Sequence, residues 1–322
     1  MNKECCVLVY GDLLLDVLFY LEESVSIDRR AHVVKRVVVS SGGAAGNVAV
    51  ALSRLRVPVF VLSTIGRDPI GEYLLSRLLS ESILVDCIRK IKETCTGITV
   101  GFIEPNGHRT LFTFKGASEK NTIRVEEFSS LLDKIACIQL VFISGYTVHN
   151  EDRGESIISI VSETSKRDVL VAVDLGGFTQ EHNKILSELR GKVDYLFLNE
   201  EELVEITGSR SVNDGLEVLY EITIPRAIFL KQGERGCLIR EKNNVVTIPA
   251  YRVHVVDTTG CGDIFNAGVL YGILKGYNTS NAAKLGSLLA AYKATGYGAQ
   301  HLPRNLNELL SFGKMLGCEW NF

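Results

Sequence analysis

The stretch Asp257-Thr258-Thr259-Gly260-Cys261-Gly262-Asp263 is followed by an apolar segment from Ile264 to Leu274, and it decides how the rest of the chain is interpreted. Its two glycines flank one small residue, so the backbone N–H groups of the turn can converge on one point. The helix predicted after the turn directs the positive end of its dipole to the same point. The stretch therefore predicts an anion-binding loop at the N-terminus of a helix.

Asp263 is the unexpected residue of this loop, because a carboxylate would compete with a bound anion unless the two flank a reacting hydroxyl group. That arrangement suits phosphoryl transfer, in which Asp263 accepts the proton of a substrate hydroxyl group. The amides of Gly260, Cys261 and Gly262 would stabilise the charge that grows on the transferred group. The alternative is that Asp263 only caps the helix and that the glycines only form a turn.

The heptapeptide closely resembles the second signature of the ribokinase-like (PfkB) family of sugar and nucleoside kinases, D-T-T-G-A-G-D, with Cys261 in place of the usual alanine. The resemblance implies that Asp263 is the catalytic base. It also implies an α/β chain with the ribokinase-like three-layer fold, in which a mainly parallel central sheet is accompanied by a small β-sheet lid. Since the resemblance covers nearly the whole chain, residues 1–322 are expected to form one kinase domain with lid segments inserted at approximately 13–40 and 92–116.

Composition limits the classes of function. The chain of 322 residues is 46% hydrophobic and has a net charge of −3, which allows a large core and argues against a nucleic-acid partner. No apolar run reaches the roughly 18 residues of a membrane helix, and the first residues lack the plan of a signal peptide. We therefore expect a cytoplasmic protein that binds neither membranes nor nucleic acid.

The eight cysteines include no C-x-x-C pair, and most of them lie in apolar segments. Buried free thiols are therefore favoured over disulfides or a metal site. Cys261 is the exception, because it lies in the predicted anion loop and a helix N-terminus favours the thiolate form of a cysteine.

Two aspartates follow the first apolar run of the chain. Cys6 to Tyr10 predicts a buried strand that Gly11 ends, and in open α/β sheets ligands bind beyond the carboxyl ends of the strands. Asp12 and Asp16, in G-D-L-L-L-D, resemble the motif that opens many members of the family. The resemblance implies that they bind the acceptor substrate. Two solvated aspartates in a turn are the alternative.

Small residues precede the first long helix. Ser41 to Ala49 resembles the first signature of the family, G-G-x-x-x-N, which implies that Gly42, Gly43 and Asn47 bind the sugar. Glycines let a sugar approach the backbone, and an Asn side chain offers both a donor and an acceptor to hydroxyl groups. A tight strand-to-helix turn is the alternative. Ribokinase itself usually has lysine where this chain has Ala44, so the resemblance does not fix ribose as the substrate.

Segments rich in β-branched residues interrupt the alternation of strands and helices, first at 33–39 and again in the pair 96–103 and 109–114. We interpret them as one small β lid. In the resembled family such a lid closes over the substrate and often pairs with the lid of another subunit, which implies a homodimer. The phenylalanines of the second pair would give the lid apolar surface, and a plain core role for them is equally open.

The second half of the chain alternates regularly. Helices are predicted at 125–133, 150–166 and 181–190, and strands at 138–144, 168–174 and 193–198. Such alternation indicates a parallel sheet with helices on both faces. Asn199-Glu200-Glu201-Glu202 resembles the N-x-x-E motif of the family, which implies that Glu202 holds Mg²⁺ through water and that Asn199 helps to position phosphate. An acidic first helical turn is the alternative.

Further residues are implied in ATP binding by resemblance. Lys231 to Gly236 resembles a G-x-x-G turn that passes the nucleotide in the family, which implies contacts from Lys231, Gly233 and Gly236. A β-hairpin turn alone would also explain both glycines. Ser287 falls where the adenine would lie, and an ordinary helix serine is the alternative.

The segment Gly296 to Gln300 resembles the G-A-Q loop of the family. In that family this loop and the D-T-T segment surround a K⁺ ion beside the anion loop. The resemblance implies that Asp257 is the carboxylate ligand of such an ion. The candidate carbonyl ligands are those of Thr259, Lys293, Gly296 and Gly298. Activation by monovalent ions varies within the family.

Together the motifs predict a kinase that uses ATP and Mg²⁺ to phosphorylate a hydroxymethyl group of a sugar such as ribose, fructose or a related carbohydrate. A nucleoside kinase stays open, because the lid residues Phe102, Phe112 and Phe114 could stack on a base. A phosphosugar kinase is less favoured, since the chain shows no Arg/Lys cluster at the expected substrate end. A non-catalytic sugar-binding protein would normally have lost the base or the anion loop, and both are present.

Overall fold

The computed structural model describes residues 5–24, 32–105 and 107–318. In these ranges the strands are β1 Cys6–Tyr10, β2 Leu14–Leu21, β3 Val34–Gly42, β4 Val59–Gly66, β5 Ile88–Ile91, β6 Thr96–Ile103, β7 Arg109–Gly116, β8 Ile138–Ser144, β9 Leu170–Asp174, β10 Tyr195–Asn199, β11 Ala227–Lys231, β12 Cys237–Glu241 and β13 Asn244–Ile248. The α-helices are α1 Ala44–Arg54, α2 Pro69–Ser80, α3 Val125–Lys134, α4 Glu155–Thr164, α5 Asn183–Glu188, α6 Glu200–Thr207, α7 Val212–Thr223, α8 Cys261–Leu274, α9 Thr279–Ala294 and α10 Leu306–Met315.

The central sheet has the strand order β13-β12-β11-β10-β9-β8-β1-β4-β5. Its strands pair in parallel from β11 to β5, and the edge formed by β11, β12 and β13 is antiparallel. In β1, Val7 and Val9 pack into one core cluster, and Leu8 and Tyr10 pack into the other. A parallel strand that is covered on both faces must be apolar throughout, which explains the unbroken apolar run of β1. The predicted mainly parallel sheet is confirmed.

The small sheet has the strand order β3-β2-β6-β7. Its outer pairs are antiparallel, whereas β2 and β6 run parallel with Asp16 opposite Thr99. Burial alternates along β2 and β6, because successive side chains of a strand point to opposite faces. The predicted α/β fold with a small additional sheet is therefore confirmed. Residues 25–31 of the predicted lid segment 13–40, and Asn106 of the segment 92–116, lie outside the described residues.

Two predicted strands match the structure residue for residue, Cys6–Tyr10 and Ile138–Ser144. The helix predicted over 150–166 is shorter, because a 3-10 turn at Gly145–His149 comes first and α4 begins only at Glu155. None of the helices in the described ranges is both long and apolar enough to cross a membrane.

One pair of cysteines departs from the prediction of free thiols. Cys6 at the start of β1 and Cys137 just before β8 are joined by a disulfide. The two strands are parallel neighbours, and the Cys6 amide donates to the Cys137 carbonyl at 2.9 Å, so strand pairing brings the side chains together. The prediction was wrong for this pair, because a contact across 131 residues has no local signal. Free thiols are found at Cys5, Cys87, Cys95, Cys237, Cys261 and Cys318.

Candidate active site

A cleft of about 1560 Å³ lies between the small sheet and the carboxyl ends of the central strands. Asp12 follows β1, and Asp174, Asn199 and Lys231 are the last residues of β9, β10 and β11. All four line the cleft, because paired parallel strands bring their carboxyl ends to one edge of the sheet. Asp16 of β2 lines the same cleft from the small sheet.

The loop before α8 closes one wall of the cleft. Gly260 caps α8 in the left-handed conformation with φ of 76°, and a Cβ atom there would lie 2.9 Å from the Cβ atom of Ala299. Glycine is therefore required at this position. The first helical hydrogen bond of α8 runs from the Ile264 amide to the Gly260 carbonyl at 3.0 Å. The amides before Ile264 are thus left at the positive end of the helix dipole.

One predicted donor of the loop has a different partner. The Cys261 amide donates to the Thr258 carbonyl at 3.1 Å, so it closes the turn instead of facing an anion. The ammonium group of Lys231 lies beside Gly262, the next residue of the loop. A Cβ atom on Gly262 would be 3.5 Å from the Nζ atom of Lys231. The loop therefore combines a helix N-terminus with an ammonium group, and both attract an anion.

Asp263 lies in the first turn of α8 and lines the cleft. Its Oδ2 atom accepts a hydrogen bond from the Nδ2 atom of Asn47 at 2.8 Å. Burial raises the pKa of Asp263 to about 6. The Asn47 hydrogen bond and the charge of Lys231 oppose this rise, and the charge of Asp174 adds to it. A carboxyl group with this pKa is mostly ionised at neutral pH and can still take up a proton.

Asn47 contacts Asp263 as well as lining the cleft. Its Oδ1 atom accepts from the Nε2 atom of Gln300 at 3.3 Å, and the Oε1 atom of Gln300 accepts from the Ser41 hydroxyl at 3.0 Å. This chain of hydrogen bonds orients the amide so that its N–H group faces Asp263. The structure thus gives Asn47 a positioning role that its motif did not indicate. Gly43, the N-cap residue of α1, also lines the cleft.

Asp12 and Asp16, the residues predicted to bind the acceptor, are buried and line the cleft. Burial raises the pKa of Asp16 to about 7, and the charge of Asp263 adds to the rise. Gly42 makes room for Asp16, since a Cβ atom on Gly42 would lie 2.0 Å from its Oδ2 atom. Asp12 pairs through Oδ2 with Lys115 at 3.4 Å, whereas its buried Oδ1 atom has no hydrogen-bond partner. Such an oxygen is costly to leave unpaired and is available to a polar ligand.

Asp174 was assigned no role from the sequence, yet it anchors the cation of the cleft. Its Oδ2 atom accepts from the Nζ atom of Lys231 and from the Nδ2 atom of Asn266, both at 2.7 Å. Burial lowers the pKa of Lys231, but the charges of Asp174 and Glu202 outweigh it, so the pKa is raised and the ammonium group stays charged. The available signal was the position of Asp174 at the end of an apolar strand, the same signal that indicated Asp12.

Asn199 and Glu202 form a capping box at the start of α6. The Oδ1 atom of Asn199 accepts from the Glu202 amide at 2.9 Å, and the Oε2 atom of Glu202 accepts from the Asn199 amide at 2.8 Å. Both side chains also line the cleft. Burial raises the pKa of Glu202 to about 7, and the charge of Asp174 adds to the rise. The carboxyl groups of Asp174 and Glu202 both line this part of the cleft, so they could help to hold a divalent cation.

The grouping of possible ligand side chains determines how a metal ion would be held. In the described ranges no three His, Cys, Asp or Glu side chains are grouped so that they could bind a metal ion by themselves. A magnesium ion at Glu202 therefore fits best when water and phosphate oxygens supply its other ligands, which is the usual manner of Mg²⁺ binding.

The remaining residues predicted to contact ATP also line the cleft. Gly233 and Gly236 lie in the turn between β11 and β12, where the Gln232 amide donates to the Gly236 carbonyl at 2.8 Å. The hairpin alternative is therefore correct for the backbone, and the turn still faces the cleft. Ser287 of α9 lies on the same wall as the loop before α8.

The carboxylate of the ligand set predicted for K⁺ has protein partners in this structure, and the K⁺ site stays a prediction. The Oδ1 atom of Asp257 accepts from the Thr259 amide at 2.8 Å. Its Oδ2 atom accepts from the Tyr20 hydroxyl at 2.6 Å and from the Gly298 amide at 2.9 Å. Lys293 directs its ammonium group to the main-chain carbonyl of Asp257 at 2.6 Å. Hydrogen-bond donors thus already occupy both oxygens of the one carboxylate in the predicted ligand set.

Cys261 has the opposite ionisation to the one predicted. Burial raises the pKa of its thiol to about 11, although the charge of Lys293 opposes the rise. The Sγ atom donates to the carbonyl of Ala290 at a distance of 3.7 Å. The thiol form is therefore favoured over the predicted thiolate, because burial disfavours the charged sulfur and is the largest influence on this pKa.

Known proteins resemble this chain in sequence and in fold. A model of the pfkB family carbohydrate kinases matches residues 6–305. A protein of Pyrococcus horikoshii, provisionally described as a sugar kinase, is 30% identical over 311 residues, which cover 94% of each chain. Burkholderia thailandensis nucleoside kinase in complex with inosine aligns with a TM-score of 0.79 and 22% identity, covering 97% of each chain. Arabidopsis thaliana ribokinase with ribose and ATP aligns with a TM-score of 0.78 and 20% identity, covering 96% of this chain and 98% of that chain.

The link between Asn47 and Asp263 predicts a measurable pKa change. We expect the Asp263 carboxyl group to titrate at about pH 6 in the wild type and at a higher pH in Asn47→Ala, because the hydrogen bond that stabilises the charged form is lost. Carbon-13 NMR of protein labelled at aspartate Cγ measures this, with the signal assigned by its loss in Asp263→Asn. Gln300→Ala is the matched control and should shift the pKa less. An unchanged or lower pKa in Asn47→Ala would show that Asn47 does not stabilise the base.

Proposed function

The chain belongs to the pfkB family of carbohydrate kinases, and we propose that it transfers the γ-phosphoryl group of ATP to a hydroxymethyl group of a sugar such as ribose, fructose or a related carbohydrate. It is a phosphotransferase with an alcohol group as acceptor, and within the family it is a sugar or nucleoside kinase. The proposal depends above all on one observation, that a half-buried carboxylate, Asp263, lies in the first turn of a helix whose N-terminus faces the cleft.

Asp263 acts as the base of the reaction. It takes the proton of the acceptor hydroxyl group while the hydroxyl oxygen attacks the γ-phosphorus of ATP. A new O–P bond forms, the bond from the γ-phosphorus to the bridging oxygen breaks, and ADP leaves with the electron pair. Asn47 keeps the carboxylate in one orientation through its 2.8 Å hydrogen bond, so proton transfer requires no rearrangement of the base.

Lys231 and the N-terminus of α8 stabilise the transferred group. Charge develops on the phosphoryl oxygens during transfer, and preorganised donors are most effective when they cannot move away. Asp174 fixes the ammonium group of Lys231 at 2.7 Å beside Gly262. Mg²⁺ bound with ATP would be held through water by Glu202 and would withdraw charge from the phosphate oxygens. The nucleotide is expected to extend along Asn199, Lys231, Gly233, Gly236 and Ser287, which all line the cleft.

The buried aspartates favour an uncharged polyol as acceptor. The unpaired Oδ1 atom of Asp12 and the carboxyl group of Asp16 can accept hydrogen bonds from sugar hydroxyls. Lys115 is not available to a phosphate, because its Nζ atom donates to the Tyr146 carbonyl at 2.8 Å and to the Asn150 Oδ1 atom at 2.6 Å, besides pairing with Asp12. This arrangement removes one cation that could otherwise bind the phosphate of a phosphosugar.

The aromatic residues of the small sheet do not support a nucleoside as the preferred acceptor. Leu111 and Thr113 of β7 line the cleft, and alternate residues of a strand face opposite sides. Phe112 and Phe114 therefore point outward, with exposed fractions of 62% and 54%. They are directed away from any base bound in the cleft, so the reason for expecting base stacking is weakened.

The outward face of the small sheet favours a homodimer. Its exposed apolar residues on the two edge strands are Val37, Val39, Phe112 and Phe114. On the inner strands, Phe19 and Phe102 stack with their ring centroids 5.6 Å apart. A continuous apolar face is unusual on a monomer, and a second copy of the same face would cover it about a twofold axis. We therefore propose that two chains pair through the outer faces of their small sheets.

A coupled assay of ADP release identifies the acceptor. We expect release to depend on an added pentose or hexose and to be slower with phosphosugars, sugar acids and nucleosides at equal concentration. Turnover with inosine, cytidine or adenosine alone would select the nucleoside alternative. No acceptor-dependent release with any compound of the panel would contradict the proposed function.

Asp263→Asn is the matched variant for this assay, because it keeps the shape of the side chain but cannot accept the proton. We expect turnover to fall by about two to four decades while ATP binding, measured by calorimetry, is retained. Asp214→Asn removes an exposed carboxylate on α7 and should leave turnover unchanged. Near-normal turnover of Asp263→Asn would remove Asp263 from the role of base.

Sedimentation velocity tests the proposed dimer. The wild type is expected to sediment as a dimer, and Phe112→Glu as a monomer, because the substitution places a charge in the apolar face. Val245→Glu is the matched control, since Val245 is 50% exposed but lies on β13 at the edge of the central sheet. A monomeric wild type, or a dimer that Phe112→Glu leaves intact, would show that this face is not the interface.

A further inference from the structure

Lys293, near the end of α9, is a fully buried cation outside the cleft. Its side chain is 0% exposed, and Lys293 is not among the residues that line the cleft. The Nζ atom donates to the main-chain carbonyl of Asp257 at 2.6 Å and lies 3.6 Å from the Oδ2 atom of the same residue. A buried ammonium group is costly unless it is compensated, so its pairing with Asp257 requires a physical reason.

The partner of Lys293 is the carboxylate of Asp257, which other donors hold in place: its Oδ2 atom accepts from the Tyr20 hydroxyl at 2.6 Å, and its Oδ1 atom accepts from the Thr259 amide at 2.8 Å. Burial lowers the pKa of Lys293, and the charge of Asp257 opposes this fall. The pair therefore sets an ammonium group against the residue at which the loop before α8 begins. This charge is part of the chain and does not exchange with the solvent.

The same contacts occupy the Asp257 oxygens that a small external cation could otherwise contact. Both carboxylate oxygens of Asp257 accept from N–H or O–H groups. The main-chain carbonyl of Asp257 accepts from Lys293, and the carbonyl of Lys293 accepts from the Gly296 amide at 3.3 Å. The ammonium group of Lys293 therefore fills the position beside Asp257 that a small cation would take.

We propose that Lys293 is a built-in cation whose ammonium group takes the place of an exchangeable monovalent ion beneath the anion loop and makes turnover independent of K⁺. The inference rests on the proposed kinase function. Lys293 does not touch the reacting groups, so it is a positioning residue: it fixes the carbonyl and the carboxylate of Asp257, and through them the loop that carries the amides of α8. Tyr20 of β2 holds the same carboxylate, which couples this loop to the small sheet.

The wild-type enzyme is first assayed with its best acceptor in potassium, sodium and choline chloride at equal ionic strength. We expect kcat to agree within about twofold, because screening is constant and no ion is required. A requirement for K⁺ would overturn the inference and leave the proposed function intact. Failure to turn over any acceptor is a different result, which contradicts the proposed function itself.

Two variants separate the charge of Lys293 from its volume. Lys293→Ala leaves a cavity beside Asp257, whereas Lys293→Met fills most of that space without a charge. In choline chloride both should lose about 100-fold in kcat, with a smaller change in the KM for ATP. Potassium or ethylammonium chloride should restore Lys293→Ala, because the cavity admits the ion, and should not restore Lys293→Met.

Thermal unfolding gives a readout that does not depend on turnover. At fixed ionic strength, K⁺ or ethylammonium should raise the Tm of Lys293→Ala and leave the wild type and Lys293→Met unchanged. An alanine variant too unstable for choline chloride is prepared in ethylammonium chloride, and failure to fold there counts against the inference. If neither the Tm nor the rate of Lys293→Ala responds to a small cation, the ion pair is purely structural and the inference is wrong.

Discussion

The proposed reaction requires a carboxylate that stays ionised inside a cleft, because a protonated Asp263 could not accept the proton of an alcohol. Burial alone favours the protonated form and raises the pKa to about 6. The Asn47 hydrogen bond and the charge of Lys231 limit the rise, while Asp174 adds to it. The balance leaves a group that is ionised at neutral pH and more basic than a solvated aspartate, which is the condition that general base catalysis needs.

Two ammonium–carboxylate pairs lie on either side of the loop that leads into α8. Lys231 and Asp174 are in contact at 2.7 Å and line the cleft, so this pair can act on a bound phosphate. Lys293 and Asp257 are closed off from the cleft, with side chains 0% and 1% exposed, so this pair can act only on the backbone of the loop. The same chemistry thus serves recognition in one place and positioning in the other.

The fold and the loop could be predicted because their signals are local. Apolar runs predicted strands such as Cys6–Tyr10, and the glycine spacing before Asp263 indicated the anion loop. The contacts that decide the chemistry are distant in sequence: Asn47 and Asp263 are 216 positions apart, and Tyr20 and Asp257 are 237 apart. Burial is equally a property of the folded chain, which is why the dipole argument for a Cys261 thiolate failed.

The most direct measurement is a crystal structure of the protein with ADP, Mg²⁺ and aluminium fluoride, which mimics the transferred phosphoryl group. The account predicts fluoride atoms within about 3 Å of the Gly262 amide and the Lys231 Nζ atom, with the Asp263 carboxylate facing the axial position opposite ADP. An aluminium fluoride group bound away from the N-terminus of α8, or an Asp263 side chain turned out of the cleft, would contradict the proposed mechanism.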